Sequence, residues 1–249
     1  MFYYKISANA NARKKHYARA RSAQNAWLTP ISSGLSSQKG YTQLLARQLD
    51  QQGLHEAVCL LNQMVTQINK LVRLIDELLD ASKIQAGQLD YEEKAFDLDI
   101  LVHETVEMLQ ANTSSHVLHI TGASHATILG DKDRLGQVLI NLITNAIKYS
   151  PQANRVDITL SSTQHAALIS VRDYGLGISP TRQKHIFDRF YRVHDSSNKS
   201  FKGLGLGLYI ARDIVQRHGG DLSVESEEGK GSAFTISPPL DKQAAARSE

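Results

Sequence analysis

Residues 141–149 read Asn-Leu-Ile-Thr-Asn-Ala-Ile-Lys-Tyr and close a longer run, Asp131–Tyr149, that decides the fold. Leu135, Val138, Leu139, Leu142, Ile143, Ala146 and Ile147 recur there at helical spacing, which predicts a helix with one apolar face. Asn141 and Asn145 stand four apart and Lys148 follows one turn later, so all three share the polar face. The flanking sequence supplies what the apolar face can pack on. His116–Thr121, Ala126–Leu129, Asp221–Glu225 and Ala233–Ser237 read as strands, and Val156–Leu160 and Ala166–Val171 as a strand pair. Leu98–Gln110 and Leu204–Arg217 read as helices. Helices and strands mixed over residues 96–240 predict a two-layer α/β sandwich.

Four segments of this region carry chemistry. Two amides and an ammonium on the face of Asn141, Asn145 and Lys148 suit a hydrated Mg²⁺ carrying phosphates, because that ion takes oxygen ligands and keeps several waters. A merely solvated helix face has the same composition. Val171-Arg-Asp173-Tyr-Gly175-Leu-Gly177-Ile178 follows a strand; its carboxylate can accept from an exocyclic amine such as adenine's, and its glycines let backbone approach a flat ring. Phe187-Asp-Arg-Phe190-Tyr-Arg192 places aromatics at i and i+3, a spacing that suggests core packing, with Arg192 able to reach a phosphate. Lys202-Gly203-Leu204-Gly205-Leu206-Gly207-Leu208 opens a helix, where successive backbone N–H groups and the helix N-terminus favour an anion. It is neither a P-loop nor the dinucleotide fingerprint. The polar stretch His194–Phe201 before it reads as a mobile lid.

Upstream lies a different kind of sequence. Val58, Leu61, Val65, Ile68, Val72, Ile75 and Leu79 form a heptad seam, widened by Leu60, Met64, Leu71, Leu74 and Leu78. Tyr41, Leu44, Leu45, Gln48 and Leu49 predict a shorter helix before it, with a break at Gln52–Gly53. A hairpin over 39–85 cannot bury so wide a stripe alone. Dimerisation into a four-helix bundle buries it; packing on the following domain is the other solution. Residues 86–95 read as a linker and 241–249 as a tail.

The 249-residue chain has a net charge of +3, which conceals an asymmetry. Residues 1–49 hold eight Lys or Arg and no acid, while the rest hold 20 basic and 25 acidic groups. Residues 1–38 have no period and read as a basic, poorly ordered leader, without the aromatic interleaving or motif of a specific nucleic-acid arm. One cysteine, Cys59, excludes an internal disulfide and fits a reducing compartment. No run spans a bilayer and no secretory signal is visible, so a cytoplasmic chain is expected, membrane-associated only as part of a longer sensor.

The order of the four segments is specific where each alone is weak. It resembles the ATP-binding domain of sensor histidine kinases, with their N, G1, F and G2 boxes, over about residues 96–240. The hairpin resembles the second half of that family's dimerisation and phosphotransfer domain. The resemblance implies an α+β chain: a helical hairpin that forms a four-helix bundle as a dimer, then an ATP-binding sandwich of Bergerat type. It implies ATP and Mg²⁺ as cofactors, with Asn145 as Mg²⁺ ligand and Asn141 as a second candidate. Lys148 and Tyr149 would contact phosphate and nucleotide. Asp173 would accept the adenine amino group, with Gly175, Gly177, Ile178 and Phe190 shaping the pocket. Arg192 would lie near the phosphates, which Gly203, Leu204, Gly205, Leu206, Gly207 and Leu208 would cradle. The implied partners are a second copy through residues 39–85 and a response-regulator receiver domain.

The sequence departs from the family at the phosphoacceptor. Counting back from Lys39-Gly40-Tyr41 places the expected histidine at Thr29, followed by Pro30 where an acid would stand. His16 and His55 lack the motif around them. The expectations that follow are a reading frame truncated or shifted upstream of about Lys39, or an acceptor-less ATP-binding protein that pairs with an intact histidine kinase. A serine kinase or ATPase of the same fold is a further alternative, against which the heptad hairpin argues.

Overall fold

The computed structural model describes residues 41–42, 45, 49–50, 54–89, 91–192 and 203–241. The expected leader with Thr29, the break at Gln52–Gly53, the expected lid at 194–201 and residues 242–249 lie outside them. The chain divides into two units, residues 1–89 and 90–249.

The first unit is dominated by one 32-residue helix, α1 (His55–Ala86). Tyr41, Thr42, Leu45, Leu49 and Asp50 are also helical. The α1 helix stops at Gly87, whose φ of 66° places it in the left-handed region. There Gly87 N–H donates to Ile84 O and Gln88 N–H to Lys83 O, which satisfies carbonyls the helix would otherwise leave open. The seam residues Val58, Leu61, Val65, Ile68, Val72 and Ile75 are half-buried. Leu60, Met64 and Leu71 are at least half exposed, so an apolar stripe remains on this helix. Among the described residues no helix is long and apolar enough to cross a membrane.

The second unit begins with β1 (Lys94–Asp97), followed by α2 (Leu98–Ala111), β2 (Val117–Gly122), β3 (Thr127–Gly130) and α3 (Lys132–Tyr149). Then come β4 (Arg155–Ser162), β5 (Ala167–Arg172), the single turn α4 (Pro180–Gln183), α5 (Gly207–Arg217), β6 (Leu222–Glu227) and β7 (Gly231–Ile236). The expected linker at 86–95 is shorter than its sequence suggests, because Ala86 still belongs to α1 and Lys94 already to β1. Four residues with one aromatic give little strand signal; β1 exists because it pairs antiparallel with β3, Phe96 opposite Ile128.

A five-stranded sheet has the order β2-β4-β5-β7-β6. The β2–β4 pair is parallel and the rest antiparallel. A parallel pair needs a crossover, and α3 lies in it. Helices α2, α3 and α5 pack on one another and on the sheet. On α3, Leu135, Val138, Leu139 and Ile143 are fully buried, each contributing about 1.5–3 kcal/mol of burial free energy. The helix packs on β4 and β5, whose alternate residues Val156, Ile158, Leu160, Ala167, Ile169 and Val171 are likewise buried. The intervening residues point to the other face of the sheet, and this parity positions the site.

The start of α3 is fixed by Asp131. Its carboxylate accepts from Arg134 N–H and from Glu92 N–H, both at 3.0 Å. Asp99 similarly accepts from Ser124 and His125 N–H. Burial works to raise both carboxyls, but the hydrogen bonds outweigh it and hold them below the usual range. A lowered folded-state pKa stabilises the fold above the unfolded value of 3.8, and that stabilisation is lost as pH falls through the folded value. Asp131→Ala is therefore expected to cost about 1–2 kcal/mol at pH 7 by chemical denaturation, with the difference shrinking near pH 3.

Candidate nucleotide site

The site is built on the C-terminal half of α3. Asn145 Nδ2 donates to Asn141 Oδ1 at 3.3 Å, which leaves Asn145 Oδ1 as an available oxygen. Asn141 Nδ2 is buried and has no hydrogen-bond partner among the described residues. One turn on, Lys148 Nζ donates to Tyr149 Oη at 3.1 Å and stands 4.7 Å from that ring's centroid.

The glycine segment before α5 lies directly on this face. A Cβ on Gly207 would sit 2.3 Å from Asn141 Oδ1, and one on Gly203 3.7 Å from Lys148 Nζ. Gly205, at φ 72°, accommodates Tyr191 O, 2.5 Å from where its Cβ would be, with Phe190 and Arg192 also close. Phe190 N–H donates to Gly205 O at 3.0 Å. Leu206 is wholly buried, whereas Leu204 and Leu208 are half-buried. So Asn141, Lys148, Phe190, Arg192, Gly203, Gly205 and Gly207 are brought together from three parts of the chain.

Phe190 corrects the core-packing expectation. It is half exposed, with φ 63°. The i and i+3 argument assumes a helix, and residues 184–190 are turns instead. Phe187 is half-buried, with the Arg212 guanidinium 5.1 Å from its ring centroid.

The second glycine segment closes the other end. Leu176 N–H donates to Tyr149 O at 3.1 Å, and a Cβ on Gly175 would sit 2.0 Å from that same oxygen. Gly177, at φ 64°, lies as close to Glu227 O. The glycines here admit neighbouring backbone, a reason the sequence did not reveal. Ile178 N–H donates to Ser226 Oγ at 2.8 Å, and Gln183 Nε2 donates to both Ile178 O and Ser226 O. Ser226 and Gln183 lie outside the four segments, so no sequence signal marked them.

Asp173 follows β5 directly, continues its helix-facing parity and is only 4 % exposed. Its Oδ1 accepts from Gly175 N–H at 2.9 Å. Burial pushes its carboxyl above the usual range, against the opposing pull of the Gly175 and Ser232 N–H groups and the Arg172 charge. A buried carboxylate whose ionised form is disfavoured by desolvation gains from a further hydrogen-bond donor, such as one on a ligand.

Metal chemistry can be tested on the donor set. Among the described residues no group of three or more His, Cys, Asp or Glu could hold an ion. A cation here would therefore meet one or two amide oxygens and depend on oxygens brought by its ligand, which suits Mg²⁺ travelling with a polyphosphate.

Residues 130–242 match the family described as histidine kinase-, DNA gyrase B-, and HSP90-like ATPase. Sensor histidine kinase RppB of Synechocystis is 39 % identical over 184 residues, 73 % of this chain and 40 % of RppB. Sensor histidine kinase WalK of Bacillus subtilis is 33 % identical over 186 residues, 72 % of this chain and 30 % of WalK. The chain thus spans less than half the length of these relatives. The match to the sensor-like histidine kinase SenX3 of Mycobacterium tuberculosis, 29 % identical, covers 90 % of this chain and 55 % of SenX3. That is more of this chain than residues 39–249 contain, so the likeness does not begin abruptly at Lys39 and reaches into the basic leader.

Among solved structures, the mycobacterial sensor histidine kinase MprB superposes with a TM-score of 0.53 at 28 % identity, covering 60 % of this chain and 98 % of MprB. Full-length ShkA in complex with AMPPNP shares the fold, with a TM-score of 0.65 at 24 % identity over 86 % of this chain and 45 % of ShkA. Residues 130–242 therefore belong to the histidine kinase-, DNA gyrase B- and HSP90-like ATPases, and the chain carries the ATP-binding domain of a sensor histidine kinase.

Proposed function

We propose that this chain is the catalytic core of a two-component sensor histidine kinase, binding Mg-ATP for phosphoryl transfer to a histidine and from there to a response-regulator aspartate. The observation that carries this reading is the convergence of both glycine segments on α3, around Asn141, Asn145 and Lys148 at one end and the buried Asp173 at the other. Asp173 accepts the adenine amino group, with Gly175, Gly177 and Ile178 holding the pocket walls. Asn145 supplies an oxygen to Mg²⁺, which neutralises phosphate charge when bound. Asn141 orients the Asn145 amide. Lys148, Tyr149 and Arg192 meet the phosphates, with Gly203, Gly205 and Gly207 beside them. Phosphoryl transfer asks chiefly for positioning and charge neutralisation, and this set supplies both.

Thr29 has no imidazole, so the acceptor histidine belongs to a partner chain. The exposed stripe Leu60, Met64 and Leu71 on α1 is the surface through which a second copy, or the histidine-bearing kinase in its place, completes a four-helix bundle.

The test is labelling with γ-labelled ATP, with and without a histidine-bearing kinase. Acid-labile label is expected on the partner and not on this chain alone. Label on His16 or His55 would overturn transfer in trans. In parallel, Asn145→Ala is expected to weaken Mg-ATP binding by at least about tenfold by calorimetry, on the scale of one charge-assisted contact. Unchanged affinity removes the metal role given to Asn145.

A further inference from the structure

Asp173 and Tyr174 are consecutive residues with opposite destinations. Strand parity sends Asp173 to the helix-facing side, where it is 4 % exposed, and Tyr174 to the outer face, where it is 45 % exposed. The Tyr174 hydroxyl donates to Asp157 Oδ2 at 2.5 Å.

Asp157 sits in a row across three strands of that outer face: it is in register with His119 on β2 and with Arg172 on β5. Arg155, two residues earlier on β4, binds Asp157 Oδ1 through its Nε, and His119 Nδ1 lies 3.7 Å from the same oxygen. The Arg172 guanidinium is 5.4 Å from the Tyr174 ring centroid. These neighbours leave the Asp157 side chain 14 % exposed. Burial works to raise the Asp157 carboxyl, but the hydrogen bonds from Arg155 and Tyr174 hold it below the usual range.

We propose that Asp157, through the Tyr174 hydroxyl, is a positioning residue for nucleotide recognition, fixing from the far face of the sheet the backbone that aims the Asp173 carboxylate. The inference rests on the adenine-binding role proposed for Asp173. The physical link is short. No flexible linker separates the two side chains, so a tether on the Tyr174 ring restrains the peptide that carries Asp173. On the other side, Gly231 lets β7 approach that peptide, with Asp173 O 2.1 Å from where a Cβ would be. The peptide is therefore held between the outer-face tether and the backbone of β7. Nothing in the glycine spacing requires a tyrosine at 174; its effect is on the angle and permanence of the Asp173 hydrogen bond.

The consequence is selective. Loss of the tether weakens the contact with the purine 6-amino group and leaves the rest of the nucleotide site alone. Tyr174→Phe removes one oxygen and keeps the ring, so the fold is not endangered. Binding of ATP and of purine riboside triphosphate, which lacks the 6-amino group, is measured by calorimetry for wild type, Tyr174→Phe, Asp157→Asn and the double variant. ATP affinity is expected to fall about fivefold in Tyr174→Phe, within the net range of a single ordinary hydrogen bond because the contact is weakened rather than removed, with the deaminated analogue unchanged. The double variant is expected to lose no more than the worse single one, as coupled residues do.

An equal loss for both nucleotides, or no loss for either, would overturn the positioning role. If wild type itself binds the two nucleotides equally, the adenine-reading role of Asp173 fails instead, so the two failures are distinguishable. Melting temperatures of the four proteins, expected to agree closely for wild type and Tyr174→Phe, separate positioning from general destabilisation.

Discussion

Asp173→Asn is expected to lose ATP affinity by about 30- to 100-fold while keeping its full thermal stability at pH 7. The first half follows from hydrogen-bond polarity. Gly175 N–H needs an acceptor, and the amide oxygen of an asparagine takes that place. The amide NH₂ then faces the adenine amino group, donor against donor. A contact to a charged group worth about 1.5–3 kcal/mol is lost and a repulsion replaces it.

The second half follows from burial. The carboxyl of Asp173 is raised by desolvation, so folding disfavours its ionised form. A raised carboxyl contributes stability that is fully present below the unfolded value of 3.8 and is lost as pH rises through the folded value. At pH 7 the ionised group is therefore a burden, which the neutral amide removes, and near pH 3 the two proteins should converge. Calorimetric titration with ATP and thermal melts at the two pH values check both halves. Unchanged ATP affinity would end the adenine-reading role. A large fall in melting temperature would mean that Asp173 is held for the fold instead.

Gly177→Ala is expected to unfold or severely destabilise the second unit, by about 3 kcal/mol or more, and to abolish nucleotide binding with it. Two costs coincide at this residue. A left-handed φ of 64° costs a side-chain-bearing residue about 1–2 kcal/mol. The added Cβ would also sit 2.0 Å from Glu227 O and 2.7 Å from its carbon, and both belong to backbone that has no free rotamer. Relief requires the loop to move. Movement breaks the 2.7 Å bond from Gly229 N–H to Leu176 O and the 2.8 Å bond from Ile178 N–H to Ser226 Oγ. Gly229 is the control. Its φ of 81° is also left-handed, but a Cβ there meets nothing within 4 Å among the described residues, so Gly229→Ala pays the conformational cost alone. Urea titrations of both variants measure the difference. Equal losses would show that backbone approach at Gly177 carries no weight.

These two residues show why part of the site was legible and part was not. Asp173 was readable because a carboxylate followed by Gly-x-Gly after a strand is a local pattern, and its burial follows from the parity of β5. The glycines were readable as necessary but for an incomplete reason. A role in approaching a ligand ring could be guessed, whereas the close neighbours at Gly175 and Gly177 are Tyr149 O and Glu227 O. Those contacts join residues 26 to 50 positions apart, and no window of sequence contains both partners. Phe190 failed for a related reason: the i and i+3 rule holds only inside a helix, and the chain there is turned by its link to Gly205.

By itself the sequence determined the elements whose signal is periodic and dense. The apolar face of α3, the heptad seam of α1, the paired strands β4 and β5 and the order of the four chemical segments all follow from side-chain spacing, because burial of one face is a local demand on a helix or strand. It also marked the asparagines and the lysine as sharing the polar side of α3. The tertiary structure alone decided the sheet order, with β7 between β5 and β6, and the existence of β1, which has too few apolar residues to declare itself and is held by β3. It alone set Gly207 against Asn141 and joined Asp157 to Tyr174 across the outer face of the sheet. The physical reason is common to all of these: they are contacts between backbone or polar groups distant in sequence, and their geometry is fixed only when the core has brought the strands and helices together.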